Sequence, residues 1–126
     1  MKNMILFLIG WLSVNFFTNA QNQHKALAEI QKTMKQQEQA WNDGSLEKFM
    51  RGYYRHESLK FIGKSGVTYG WEATLANYKK NYPDKKSMGK LAMEIISMEK
   101  IDKKTAFVVG KWMLSGENGE QSGYFS

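Results

Sequence analysis

The segment from Trp41 to Pro83 constrains the fold of this chain more than any other part of the sequence. Trp41-Asn-Asp-Gly predicts a helix end, because Gly44 suits the left-handed conformation that closes many helices. A short helix, an aromatic pair, two strands joined by a tight turn and another helix follow, and Pro83 stops the last helix. This order predicts a small domain that combines helices with an antiparallel sheet.

Three helices are predicted in the first two-thirds of the chain. The first covers residues 24–42, where apolar residues recur at helical spacing. Its apolar residues are Leu27, Ile30, Met34 and Trp41. A short second helix runs from Ser45 through Met50, with the Ser45 side chain as its cap. The third follows Gly70 and carries a stripe at Trp71, Leu75, Tyr78 and Tyr82.

Strands are predicted on either side of the third helix. Residues 59–62 and 67–69 form a hairpin around a turn at 63–66. After a polar loop at 84–87, a long strand covers 91–101, with a bulge where alternation slips near Ile95-Ile96. A tight turn at 102–104 leads into a strand over 105–115, in which Gly110 suits a bend. Both faces of that strand are apolar, so one face is expected to meet the helices and the other to form an oligomer interface.

The N-terminus is typical of a signal peptide. Lys2 supplies a positive charge, Met4 to Phe17 is an apolar run, and Thr18-Asn19-Ala20 offers a cleavage site before Gln21. We therefore expect residues 1–20 to be removed, residues 21–126 to form one exported domain, periplasmic or secreted, and no stable membrane anchor to remain. A retained anchor is the alternative.

Composition excludes several classes of function. The chain has no cysteine, which excludes disulfides, thiolate metal sites and a cysteine nucleophile. Its net charge is +6, but the basic residues are dispersed lysines, and only Arg51 and Arg55 are arginine. Nucleic-acid binders concentrate basic residues on one face, so we expect a solvated basic surface and no nucleic-acid partner. Weak attraction to anionic lipid or polysaccharide stays open.

Four short motifs resemble a known group of proteins. They are Trp-Asn-Asp-Gly at 41–44, Phe-Met-x-Gly-Tyr-Tyr at 49–54, Phe-Ile-x-x-x-Gly-Val-Thr-x-Gly-Trp at 61–71 and Tyr-x-x-x-Tyr-Pro at 78–83. Their order resembles the SnoaL-like and ketosteroid-isomerase-like group of the nuclear transport factor 2-like superfamily. The resemblance implies an α+β fold, a cone of three N-terminal helices packed on a curved, mainly antiparallel sheet. Such domains usually continue through two more strands, so the sheet is expected to be incomplete at the C-terminus.

Candidates for acid–base chemistry are few. Asp43, Asp84 and Asp102 all fall at predicted turns, where Asp usually bonds nearby backbone amides. The bulge is expected to turn Glu94 toward solvent, and His56 lies in a polar loop. His24 precedes the first helix, and two separated histidines without cysteine do not predict a metal site. No catalytic residue, metal or cofactor is assigned.

The aromatic side chains are the best candidates for a binding site. Six of them are expected between the helices and the sheet, either as the wall of an open cavity or as plain core: Trp41, Tyr53, Tyr54, Phe61, Tyr78 and Trp112. We expect an exported domain of unestablished activity that binds a small apolar or aromatic ligand and dimerises through the outer sheet face. The alternatives are an isomerase or cyclase acting on a carbonyl compound, with Tyr54 as donor and a base drawn from His56, Glu94 or the expected further C-terminal strands, or an oligomerisation module.

Overall fold

The computed structural model describes residues 6–126, with side chains from Ala20 onward. Helix α1 spans Leu6–Asn42, so it begins well before the predicted start at residue 24 and runs through the predicted cleavage position after Ala20. The chain divides into two units between Gln31 and Lys32. Residues 6–31 of the first unit are helical. Lys2 and the start of the apolar run at Met4 lie outside the described residues, and cleavage stays a prediction.

The second unit, residues 32–126, contains the remaining elements. The end of α1 is closed as predicted, since Gly44 has a φ of 79° and the Ser45 amide donates to the Ala40 carbonyl at 2.9 Å. Helix α2 spans Leu46–Phe49, and the Ser45 hydroxyl accepts from the Lys48 amide at 3.4 Å. A 3₁₀ turn covers Met50–Gly52. The predicted second helix is therefore confirmed, with its last residue in the 3₁₀ turn.

The predicted hairpin and third helix are also confirmed. Strands β1 (Lys60–Gly63) and β2 (Gly66–Tyr69) pair antiparallel, with Ile62 opposite Val67 and Lys60 opposite Tyr69. Helix α3 spans Trp71–Asn81.

The loop predicted at 84–87 is wrong, because helix α4 spans Lys85–Met88. Asp84 and Ser87 form a capping box. The Ser87 amide donates to the Asp84 carboxylate at 2.7 Å, and the Asp84 amide donates to the Ser87 hydroxyl at 3.2 Å. These two polar residues satisfy the amides of a single helical turn, which is why a polar stretch that looks like a loop becomes helical.

A three-stranded antiparallel sheet completes the fold. Its strands are β3 (Lys90–Lys100), β4 (Ala106–Gly116) and β5 (Gly119–Phe125), in that order across the sheet. The register shifts between Ile95 and Ser97, which confirms the predicted bulge. Asp102 accepts from the Lys104 amide at 2.7 Å in the β3–β4 turn.

The two faces of this sheet have different surroundings. The inner face carries Leu91 and Leu114, which are buried, and Met93 and Trp112, which pack against the core. The outer face is partly apolar, with Phe107 50% and Tyr124 72% exposed. Glu94 and Lys111 lie opposite each other on this face, and Lys111 is also opposite Tyr124, so the outer face is less uniformly apolar than the sequence predicts.

Two indole groups fasten the core to backbone carbonyls. Trp41 is 3% exposed, and its Nε1 donates to the Met88 carbonyl at 3.0 Å. Trp71 is equally well buried, and its Nε1 donates to the Met50 carbonyl at 2.8 Å. Each indole therefore buries a large apolar surface while its one donor stays satisfied.

Helix α1 contacts the free edge of β3 through side chains that make the hydrogen bonds a neighbouring strand would otherwise make. Asn42 Nδ2 donates to the Leu91 carbonyl at 2.9 Å, and Asn42 Oδ1 accepts from the Leu91 amide at 2.8 Å. Glu38 Oε2 accepts from the Met93 amide at 2.9 Å. These bonds occupy strand groups that would otherwise face solvent unpaired, and they fix the end of α1 on the sheet.

Candidate functional site

Six aromatic rings meet where α1, α2, the β1–β2 hairpin and α3 come together, and we call them the aromatic cluster. They are Trp41, Phe49, Tyr53, Phe61, Tyr78 and Tyr82. The centroid separations include 4.9 Å for Trp41–Tyr82 and 5.4 Å for Phe49–Tyr78. Most pairs are edge-to-face, an arrangement that adds about 0.5–1.5 kcal/mol to each contact beyond simple burial.

Four of the six predicted pocket residues lie in this cluster: Trp41, Tyr53, Phe61 and Tyr78. Tyr54 does not, since it is 67% exposed and stacks on His56 at a centroid distance of 5.2 Å. Neighbouring residues in an extended segment point to opposite sides, so Tyr53 faces inward while Tyr54 faces solvent. Trp112 lies on the inner sheet face, half-buried.

Phe49 and Tyr82 complete the cluster and were not among the predicted pocket residues. Both have a signal in the sequence. Phe49 lies on the apolar side of the predicted second helix, and Tyr82 continues the stripe of the third. Phe49 contacts the rings of Trp41, Tyr53 and Tyr78, and Tyr82 contacts those of Trp41 and Tyr78.

The hydroxyl groups of Tyr53 and Tyr78 are hydrogen-bonded to each other. Burial raises the pKa of Tyr53, and the bond with Tyr78 offsets only part of that rise. Burial also raises the pKa of Tyr78, and its electrostatic and hydrogen-bonding interactions with Tyr53 raise it further. Both phenols are therefore neutral at physiological pH.

The rings of the cluster occupy the space that the sequence assigned either to a cavity or to core. Their mutual contacts favour core, because each ring packs against two or more others. A surface depression of about 300 Å³ lies at the edge of the cluster, where Tyr82 and the Glu47–Lys79 ion pair line it. A second, of about 10 Å³, borders Gly89 and Asn118.

The inner sheet face carries a second aromatic feature, formed by Trp112 and Phe125. Trp112 pairs across the strands with Gly123, and Phe125 pairs with Gly110. The indole covers Gly123, and the Phe125 ring covers Gly110 so closely that any side chain there would collide with it. Both rings are half-buried. We call this pair the aromatic platform.

The hydrogen bonds found for the candidate acids and bases in the described residues join them to neither aromatic feature. Asp84 and Asp102 accept bonds from backbone amides at their turns, and Asp43 accepts from Gln39 Nε2 at 2.9 Å. The hydrogen bonds at Asp84 hold the pKa of its carboxyl below the ordinary value, and those at Asp102 do the same. Asp84 and Asp102 therefore bond backbone amides of their own turns, as the sequence predicts, whereas the bond found for Asp43 is to a side chain.

The remaining candidates are exposed. His56 Nδ1 accepts from the Ser58 amide at 3.1 Å and lies 2.8 Å from its hydroxyl, within an exposed loop. Glu94 and His24 are exposed. Among residues 6–126, no three His, Asp or Glu side chains come together in a way that would hold a metal ion. Over the same range, no helix has the length and apolar character to cross a bilayer.

Comparison with solved structures identifies the family. The chain superposes on a protein of unknown function from Shewanella oneidensis MR-1 that is described as NTF-2 like, with a TM-score of 0.75. The two are 39% identical over 79% of this chain and 82% of the other. This chain belongs to the NTF-2-like family. The α+β fold predicted from the four motifs is thereby confirmed.

A second solved structure is similar to this chain in fold alone. It is a domain of unknown function with a cystatin-like fold from Nostoc punctiforme PCC 73102, 18% identical, with a TM-score of 0.62. It covers 76% of this NTF-2-like chain, which spans 59% of the Nostoc domain. No family model matches the sequence, and no curated protein matches it.

Proposed function

We propose that this NTF-2-like domain binds a small apolar or aromatic molecule on the aromatic platform of the sheet. The observation that carries the proposal is the position of Trp112 and Phe125, whose rings lie on glycines and keep part of their surface uncovered. A ring laid over a glycine presents a broad apolar area, on which a flat ligand stacks with little loss of side-chain freedom.

In this proposal the aromatic cluster is part of the packed core and is not itself the binding surface. Its rings are packed against each other, so a ligand would have to separate them to enter. Trp112 packs against the buried core that includes Leu114 and Leu91. Contact with the core therefore holds the platform in place. A binding surface that changes little when its ligand binds needs this kind of support.

Catalysis is the second hypothesis, and it has less support. An isomerase or cyclase needs a carboxylate or imidazole beside a phenol donor. The half-buried phenols of Tyr53 and Tyr78 bond each other, whereas Tyr54, stacked on His56, is exposed.

A neutral fluorescent probe tests the binding proposal. We expect N-phenyl-1-naphthylamine to bind the protein, and Phe125→Leu and Trp112→Leu to weaken binding about tenfold or more. Phe107→Leu, on the outer face of the same sheet, is the matched control and should bind as the wild type does. Urea unfolding of each variant separates loss of the site from loss of the fold. Wild-type affinity in a folded Trp112→Leu variant would overturn the proposal.

We also propose that the domain forms a homodimer through the outer sheet face, where Phe107 and Tyr124 are exposed. Glu94 and Lys111 lie side by side there, so a twofold axis through this face would place each beside the opposite charge of the other copy. Sedimentation equilibrium should give a dimer for the wild type and a monomer for Phe107→Asp. A wild-type monomer at high micromolar concentration would contradict this.

The export of the protein and its place in the SnoaL-like and ketosteroid-isomerase-like group are proposals of the same kind. Export rests on Lys2, the apolar run from Met4 and the small residue Ala20. N-terminal sequencing of protein recovered outside the cytoplasm should give Gln21 as the first residue. An intact Met1 would show that the segment is retained. The group assignment rests on the motifs between Trp41 and Pro83.

A further inference from the structure

The β1–β2 hairpin carries an exposed apolar face that neither the aromatic cluster nor the platform uses. Ile62 is 78% exposed, Val67 49% and Tyr69 64%. Ile62 lies directly opposite Val67, and Tyr69 lies directly opposite Lys60, so the four side chains share one face of the hairpin. Isolated exposed apolar residues are ordinary, but three on one face of a four-residue ladder form a patch.

The hairpin is held firmly from its other side. The Phe61 ring contacts Tyr53 and Tyr78 in the aromatic cluster at 5.9 and 5.6 Å between centroids. Asn77 Nδ2 in helix α3 donates to the Thr68 hydroxyl at 3.1 Å, and the Gly70 amide donates to the Leu59 carbonyl at 2.7 Å. The inner side is thus bound to the core, which keeps the apolar face turned outward.

The charges around this patch are of one sign. Residues 59–70 include Lys60 and Lys64 and no acidic residue. Among the ion pairs of the described residues, none involves Lys60 or Lys64. The nearest acidic residues along the chain are Glu57, before the hairpin, and Glu72, which is paired with Arg55 at 3.1 Å. The hairpin therefore combines unpaired cations, aliphatic side chains and a tyrosine.

We propose that this face of the hairpin docks onto the surface of an anionic lipid bilayer. Ile62 and Val67 enter the boundary between headgroups and acyl chains, Tyr69 lies at the headgroup level, and Lys60 and Lys64 contact lipid phosphates. The net charge of +6 strengthens attraction to such a surface over attraction to neutral lipid. The proposal is independent of the ligand site on the sheet.

A single fluorophore on the hairpin tests the contact without interference from the N-terminal apolar run. The chain has no cysteine, so Ser65→Cys in the hairpin turn can be labelled alone with the environment-sensitive dye NBD. Asn118→Cys, in the exposed β4–β5 turn, is the matched control. Vesicles of phosphatidylcholine and phosphatidylglycerol in equal parts are added to the full chain, and vesicles of phosphatidylcholine alone serve for comparison.

We expect the dye at position 65 to shift to the blue with the anionic vesicles only, while the dye at position 118 does not change. Ile62→Asp should abolish the shift. Lys60→Gln and Lys64→Gln should each weaken binding about fivefold at low salt. Ile101→Asp, which changes another exposed isoleucine, should bind normally.

Four results would overturn the proposal. The first is no shift at position 65, and the second is an equal shift at both positions, which would mean tethering by another part of the chain. The third is a shift that persists in Ile62→Asp. A shift that appears without vesicles as the protein concentration rises would also overturn it, since it would make a second copy of the chain the occupant of this face.

Discussion

The indole of Trp112 occupies the place that a side chain at Gly123 would take. The two residues are directly opposed on β4 and β5, and a Cβ at position 123 would lie 2.8 Å from the indole ring. The glycine therefore sets the position of the tryptophan. Glycine in the interior of a strand usually lowers stability. Here the indole of Trp112 supplies the packing that a side chain at position 123 would otherwise give.

Gly123→Ala should consequently destabilise the protein, although alanine is ordinarily the better strand residue. The indole must move off the sheet or the strands must separate, and overpacking of this kind costs about 1–3 kcal/mol. Urea unfolding followed by tryptophan fluorescence measures the change. Ser122→Ala, the exposed neighbour on β5, should differ from the wild type by less than about 0.5 kcal/mol. An alanine variant as stable as the wild type would show that the indole is free to lie elsewhere.

The half-buried phenols of Tyr53 and Tyr78 should behave as a coupled pair. Tyr53→Phe or Tyr78→Phe alone leaves one half-buried hydroxyl without its partner, at a cost of about 1 kcal/mol. The double variant removes both hydroxyls, so its loss of stability should be smaller than the sum of the single losses by about 0.5 kcal/mol or more. A double-mutant cycle in urea measures this coupling. Strict additivity would mean that each hydroxyl is satisfied independently.

Stability should fall on the alkaline side. Burial raises the pKa of Tyr78 and of Tyr53 above the value of about 10 that they have in the unfolded chain. The folded state therefore holds these protons after the unfolded state has released them. The contribution is fully present below about pH 10 and is lost as pH rises toward the folded values, at up to about 1.4 kcal/mol per pH unit for each phenol.

Unfolding midpoints measured from pH 8 to 11.5 check this. The variant with both Tyr53→Phe and Tyr78→Phe should lose less stability above pH 10 than the wild type does. Tyr54→Phe, at an exposed site, should follow the wild-type curve. Parallel curves for the double variant and the wild type would place the alkaline loss in other groups.

Asn42 is expected to anchor helix α1 to the sheet. Asn42→Ala removes the donor and the acceptor that bond the two backbone groups of Leu91, with an expected loss of about 1–3 kcal/mol. Amide hydrogen exchange should speed up at Leu91 in particular. Asn77→Ala, which removes one exposed bond to Thr68, should change stability by less than about 0.5 kcal/mol. Unchanged protection at Leu91 would indicate that water replaces the amide without loss.

Most of the fold was predictable because local pattern and tertiary packing agree. Three local patterns each predicted the element that forms. Gly44 predicted the end of α1, the stripe from Trp71 to Tyr82 predicted α3, and the slip near Ile95-Ile96 predicted the bulge. Helix α4 was missed because its capping box uses Asp84 and Ser87, residue types that are equally common in loops. Gln37 interrupts the apolar stripe of α1 because its Nε2 donates to the Phe49 carbonyl at 3.2 Å. Sequence periodicity cannot predict this tertiary hydrogen bond.

The aromatic residues show where such prediction ends. Spacing predicts that Trp41 and Tyr78 face inward, but it does not say whether rings from four elements meet each other or enclose a space. Tyr53 and Tyr54 are adjacent and chemically alike, so only the direction of the loop separates a buried ring from an exposed one. Phe125 was missed because its importance depends on Gly110 on the neighbouring strand, and that register is known only once the sheet is formed.

The bonds that Glu38 and Asn42 make to β3 also bear on how this protein associates with itself when it is partly unfolded. Partial burial acts to raise the pKa of Glu38, but its hydrogen bonds with Lys35 and the Met93 amide outweigh that effect and lower it. The carboxylate therefore keeps its charge and its place in mildly acidic conditions. The bonds from Glu38 and Asn42 obstruct the addition of a strand from another molecule along the start of β3. Such a strand would add to β5 instead. Two copies joined through β5 would each offer a third copy only the obstructed edge. Growth of a continuous sheet would then stop at two copies. The last turns of α1 would in this way limit aggregation.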